Sequence, residues 1–246
     1  MSSCNSFNLG KTLGLELVTV QVGEEKRKFV LHKQLICDSV QDFRGAFSAG
    51  GFKESVESSI DMPEDEPEVF EHFVHWLYRG TILKATKDED FERLLDLYIF
   101  AEKLCINEFA NKTIDAIQDM DLRPNPDITL ERVRKMWRNT STYSPLRTWF
   151  IDALVHKAWN DACSSEESIP RVDFYIKTLK EMWEVFKGDC DLCTSFFIAA
   201  QDSFSKWQSA YPYPHNPADP FKLQPSCYYH RHAKGEICHL QDYATF

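Results

Sequence analysis

The chain has 246 residues, 43% of them hydrophobic and 13% aromatic, and carries a formal net charge of −10. This is enough apolar material for one large or two small packed domains, and it excludes a disordered chain. The acidic balance argues against a protein that holds nucleic acid through its phosphates. The best local basic run, "EEKRK" at 24–28, is mixed in sign.

The opening "MSSCNSFNLGKTLG" contains no apolar run of signal-peptide length, and no segment approaches a membrane span. The sequence therefore predicts a cytosolic or nuclear protein with no membrane partner. In a reducing compartment its eight cysteines are buried or bind metal rather than forming disulfides. Cys37 in "LIC" and Cys105 in "KLC" read as core residues.

"LELVTVQV" at 15–22 alternates, with Val18, Val20 and Val22 on one side, and predicts a strand. "GEE" at 23–25 turns the chain into a second strand, "KRKFVL" at 26–31. Two short helices follow in "HKQLICDSVQDFRGAFSAGGF", with Ser39 or Asp42 as a candidate cap of the second. "SSIDMP" at 58–63 reads as a short strand closed by Pro63. In "EDEPEVFEHFVHWLYRG" the acidic start suits a helix N-terminus; Val69, Phe73, Trp76 and Leu77 share one face, and Gly80 stops the helix. "DEDFERLLDLYIFAEKLCI" is the clearest helix, with Phe91, Leu94, Leu95, Tyr98, Ala101 and Leu104 at helical spacing, and "NEFANKTIDAIQDM" follows with Asn107 as its cap.

"DLRPNPDITL" breaks the pattern with two prolines close together and marks a boundary at 121–127. Beyond it only helical signals remain: "TLERVRKMWRNT", "SPLRTWFIDALVHKAW", "PRVDFYIKTLKEMWEVFKG" and "DLCTSFFIAAQDSFSKWQ". Trp137, Trp149, Trp159, Trp183 and Trp207 read as core, or as the lining of a partner groove. The tail "YPYPHNPADPFKLQP" has five prolines in fifteen residues and is an extended connector.

The order strand, strand, helix, helix, strand, helix, helix, helix over 15–120 resembles the BTB/POZ domain. "FVLHKQLICDSVQDFRGAF" is similar to that family's first helical hairpin, "GGFKES…IDMPEDEPEVFEHFVHWLYRG" to its middle segment, and "LLDLYIFAEKLCINEFANKTIDAI" to its last helical pair. With its Cys/His tail, the whole architecture resembles the short BTB proteins of filamentous fungi. Two departures stand out: Glu16 occupies the position where the family often has Asp, and few residues precede the first strand. The resemblance implies an α+β fold, a small sheet packed on a helical cluster at 14–120. A linker at 121–127, an all-helical domain at 128–210 and a proline-rich tail at 211–246 complete the expected organisation.

The resemblance also implies partners. Phe52, Lys53 and Glu54 fit the hydrophobic-x-Glu pattern that BTB adaptors present to cullin scaffolds, an aromatic anchor beside a carboxylate. The same residues also read as a plain turn after the second helix. A homodimer and an unknown target protein are the other implied partners. His32, at the head of the first helix, is implied to be structural rather than catalytic. The implied function is a non-enzymatic interaction module, an adaptor for a cullin-RING ubiquitin ligase. The alternative is a nuclear scaffold or transcriptional co-regulator that assembles without a ligase. An enzyme ranks last, because no general base stands beside an open metal position.

Two cysteine motifs need separate weighing. "CDLC", Cys190 to Cys193, has redox spacing but helical flanks, so it reads as a helical pair facing the core. "CYYHRHAKGEIC" offers Cys227, His230, His232 and Cys238, a Cys2His2 set for structural zinc. An extended "YYHRH" would place both histidines on one side, and Gly235 would turn Cys238 back toward them. His239, or the Cys190/Cys193 pair, could replace one histidine. The bland reading is a tail with incidental cysteines, and its spacing lies outside the common zinc-finger ranges.

Overall fold

The computed structural model describes residues 13–48, 53–82, 84–120, 129–164, 188–209, 227–236 and 238–240, with 176, 180, 183 and 186. The chain divides into two compact units: residues 1–84 with 96–113, and residues 85–95 with 114–246. The expected linker at 121–127 and the proline-rich stretch before Cys227 lie outside the described residues. Among the described residues no helix is long and apolar enough to cross a membrane.

In the first unit, β1 (Leu17–Val22) pairs antiparallel with β2 (Arg27–His32) and parallel with β3 (Ser59–Met62), giving the order β2-β1-β3. The central strand buries Val18, Val20 and Val22, as alternation requires. The turn between β1 and β2 carries Gly23 at φ +78° and Lys26 at φ +54°. Pro67 approaches Gly23 so closely that a Cβ there would lie 3.0 Å from its ring, so a side chain has neither the space nor the backbone freedom.

Two short helices follow, α1 (Lys33–Ser39) and α2 (Gln41–Phe47), then a single turn α3 (Lys53–Glu57), too short to show a helical period. Neither Ser39 nor Asp42 caps α2. Val40 holds the cap position without a side-chain bond, and the Ser39 hydroxyl instead donates back to the Leu35 carbonyl at 2.9 Å. His32 occupies the head of α1, but its imidazole makes no cap bond; Nδ1 lies 2.8 Å from the Tyr78 hydroxyl.

Helix α4 (Pro67–Arg79) starts on a proline and ends at Gly80 in the left-handed region, φ 69°. It buries Phe70, Phe73, Trp76 and Leu77, whereas Val69 is only half-buried. Phe73 sits at the centre of an aromatic cluster, 5.5–6.0 Å from the rings of Phe70, Trp76, Phe100 and Phe109. Phe100 comes from α5 (Asp88–Lys103) and Phe109 from α6 (Asn107–Gln118). Cys105, expected in the core, is exposed at φ +55° in the turn between these helices. At the head of β2, Lys26 pairs with Asp61 and Arg27 with Glu71.

The second unit contains α7 (Leu130–Asn139), α8 (Pro145–Ser164) and α9 (Cys190–Ser209). Trp149 and Phe150 of α8 pack on Phe91. The Thr129 side chain caps α7 by accepting from the Arg132 amide. Arg132, 8% exposed, donates to Glu92 at 2.6 Å and to both oxygens of Asp88 at 2.9 and 2.7 Å. Arg147 donates to the carbonyls of Trp137 and Thr140 and to Asp191, and stacks 4.3 Å over the Trp137 ring. One guanidinium thus joins the end of α7 and the starts of α8 and α9. Trp137 and Trp149 are buried, Trp183 is 46% exposed, and the Trp159 and Trp207 side chains lie outside the described set.

The aromatic cluster should dominate the stability of the first unit. Phe73→Ala should cost about 3–5 kcal/mol, whereas Val30→Ala, at a position 60% exposed, should stay within about 0.5 kcal/mol. Denaturant unfolding of both variants checks this.

Candidate metal centre

Side-chain bonds fix residues 227–236 and 238–240 within the second unit. Tyr229 is 1% exposed, and its hydroxyl donates to Asp152 of α8 at 2.8 Å. Arg231 donates to the Tyr143 carbonyl at 3.2 Å, in the turn between α7 and α8. Turns set the path between these anchors. Cys227 takes φ +79°, a conformation that costs a non-glycine residue about 1–2 kcal/mol, and the His230 amide donates to its carbonyl at 3.1 Å. Gly235, at φ +85°, reverses the chain, and the Ala233 amide is held by the Glu236 carboxylate at 2.6 Å.

This path brings Cys227, His230, His232 and Cys238 together, with one ligand atom of each inside a 4.8 Å cluster. His230 Nδ1 lies 3.4 Å from Cys238 Sγ, and the Leu240 amide donates to the same sulfur at 3.4 Å. Both ring nitrogens of His232 are buried without a hydrogen-bond partner. A neutral imidazole has one N–H and one lone pair, so leaving both unmade in a buried site is costly unless something else takes the lone pair.

A second group overlaps the first. His230 Nε2 and His239 Nε2 lie 2.7 Å from Oδ1 and Oδ2 of Asp115, on the last turns of α6. Asp115, His230 and His239 also form a cluster that could hold a metal.

The electrostatics favour positive charge at the centre. Burial opposes a charged His230, but the Asp115 carboxylate and Cys238 outweigh it and raise its pKa. Burial likewise raises the Cys238 thiol, and its contacts with Cys227, the Leu240 amide and His230 outweigh it and bring it down. Burial, then the bond to Cys238, push Cys227 up. Cys238 is therefore the more acidic thiol of the pair. A soft cation bound here would meet two cysteine sulfurs and an imidazole whose other nitrogen is already engaged.

The sequence places the four ligands but not their supports. Asp115, Tyr229, Asp152 and Arg231 carry no motif; Asp115 lies 115 positions from His230. The Cys190/Cys193 pair is not part of the cluster: on the first turn of α9, Cys193 is buried and Cys190 exposed. Of the cullin-type triplet, Phe52 and the Lys53 side chain lie outside the described residues, and Glu54 is half-buried on α3. Glu54 lines a surface cleft of about 750 Å³ with Gln41, Arg44 and Ile60.

Residues 16–120 match the BTB/POZ domain. The mixed three-stranded sheet and its helices accordingly have the BTB fold. Among solved structures, the BTB domain of zebrafish PATZ1 is similar at 21% identity over 41% of this chain and 74% of that one, with a TM-score of 0.32. No curated protein matches the chain. A BTB domain is a protein–protein interaction module, and the family match stops short of residues 227–240.

The clasp can be tested apart from any metal. Tyr229→Phe removes a charge-assisted bond and should weaken docking of the segment by about 1.5–3 kcal/mol. Faster limited proteolysis around residue 229, with unchanged cleavage elsewhere, is the expected readout.

Proposed function

We propose that the chain is a non-enzymatic adaptor. Its BTB segment dimerises and docks a cullin-RING ligase scaffold, and its helical second part carries the target. The match of residues 16–120 to the BTB/POZ domain is the observation that carries this reading. The cullin contact rests on the Phe52-Lys53-Glu54 triplet, and the half-buried Glu54 at the rim of a cleft is a suitable place for it. Phe52→Ala combined with Glu54→Ala should weaken cullin binding about 30-fold, equivalent to about 2 kcal/mol. Calorimetry against the cullins of the source organism checks this. A wild-type chain with no affinity for any of them would instead be a scaffold that assembles without a ligase.

The tail belongs to the same reading as a structural element. Cys227, His230, His232 and Cys238 hold one zinc ion in a closed four-ligand site that leaves no position for a reacting water. What supports this is their convergence within 4.8 Å and the two buried, unpartnered nitrogens of His232. Zinc would close the segment on the second unit, because metal binding free energy adds to folding. Protein purified without a histidine tag should contain about one zinc per chain. Cys227→Ser with Cys238→Ser should lose it, and chelator should lower the melting temperature of the wild type only. Metal-free wild type with a chelator-insensitive melting curve would remove the zinc from this reading and leave the adaptor intact.

A further inference from the structure

Asp115 lies outside the proposed ligand set, yet both of its oxygens are spent on that set's surroundings. A carboxylate only accepts, so the Nε2 atoms of His230 and His239 both carry hydrogen. For neutral His230 this leaves Nδ1 as the bare nitrogen, and Nδ1 is the atom that faces Cys238 Sγ at 3.4 Å. The His230 side chain is 1% exposed, so water cannot supply an alternative acceptor. His239 stacks on His230 with ring centroids 5.3 Å apart and planes 24° from parallel, which keeps the second Asp115 oxygen occupied. His232 has no such support on either ring nitrogen. The two histidines are therefore unequal: one is aimed in advance, and the other would be oriented only by what it binds.

Resting on the zinc reading above, we infer that Asp115 is the positioning residue of the metal site. It fixes His230 as an Nδ1 ligand and ties metal binding to the ordering of the last turn of α6. The carboxylate–histidine–metal arrangement raises the basicity of the ligating nitrogen and removes the cost of turning the ring. It also means that the tail segment and α6 are held by one hydrogen-bonded unit rather than by two independent contacts.

The test uses the full chain with zinc and with cobalt(II). In chelator competition, Asp115→Asn should bind zinc about 10–100-fold more weakly than wild type. It should still bind one equivalent and keep the sulfur-to-cobalt charge-transfer band of a two-thiolate site. Asp115→Glu, which retains a carboxylate, should recover part of the loss, and this comparison stands even if the asparagine variant folds poorly. Hydrogen exchange should show residues 114–118 gaining protection on zinc binding in wild type and much less in Asp115→Asn. A simple structural role would lower the melting temperature of the apo and zinc forms alike and leave that difference intact. Wild-type zinc affinity in Asp115→Asn would overturn the inference while sparing the zinc site. So would an Asp115→Asn protein that binds no metal while Cys227→Ser with Cys238→Ser still does, since Asp115 would then be a ligand of an Asp/His/His site. A wild-type chain that binds neither zinc nor cobalt overturns both readings.

Discussion

One carboxylate accepting from two imidazoles organises the C-terminal segment. Asp115 sits on helix α6, whose backbone places its carboxylate. His230 and His239 approach it from opposite ends of a loop that Gly235 reverses. Once both rings are on Asp115, Cys238 between them is brought beside His230, and Cys227 is drawn to Cys238 at the cost of a left-handed backbone. Strain of that kind persists only where surrounding contacts over-determine it. Here the surrounding contacts are the Tyr229–Asp152 bond and the Arg231 contact to the turn after α7.

The two units solve different problems. The first buries a dense aromatic cluster under a small sheet, so its stability comes from area and packing. The second relies more on guanidinium groups. Arg132 and Arg147 each satisfy several acceptors at helix ends, where carbonyls and acidic side chains would otherwise be left to water. The acidic net charge has a local counterpart as well. Within the basic run, Lys26 pairs with Asp61 and Arg27 with Glu71.

Local pattern was enough for most of the fold. Strand alternation at Val18, Val20 and Val22, helical spacing in α5 and the stop at Gly80 depend on period and backbone freedom, which any stretch of sequence displays. Local pattern does not decide where a residue has both local and distant options. Ser39 was free to cap α2 but bonds back to Leu35, Phe70 replaces Val69 on the buried face of α4, and Cys105 lies in a turn that points it outward. Hydrophobicity alone does not settle any of these, because each depends on which neighbour arrives.

The candidate metal site divides along the same line. The sequence by itself determined its ligand types and their order, because thiols and imidazoles at short spacing around a glycine turn are a local feature. Only the tertiary structure decided that the four come within 4.8 Å, that His230 Nδ1 faces Cys238, and that the Cys190/Cys193 pair stands outside this cluster. The reason is distance along the chain. Asp115 acts on His230 across 115 positions, and a single acidic residue on a helix carries no mark of the loop that will fold onto it.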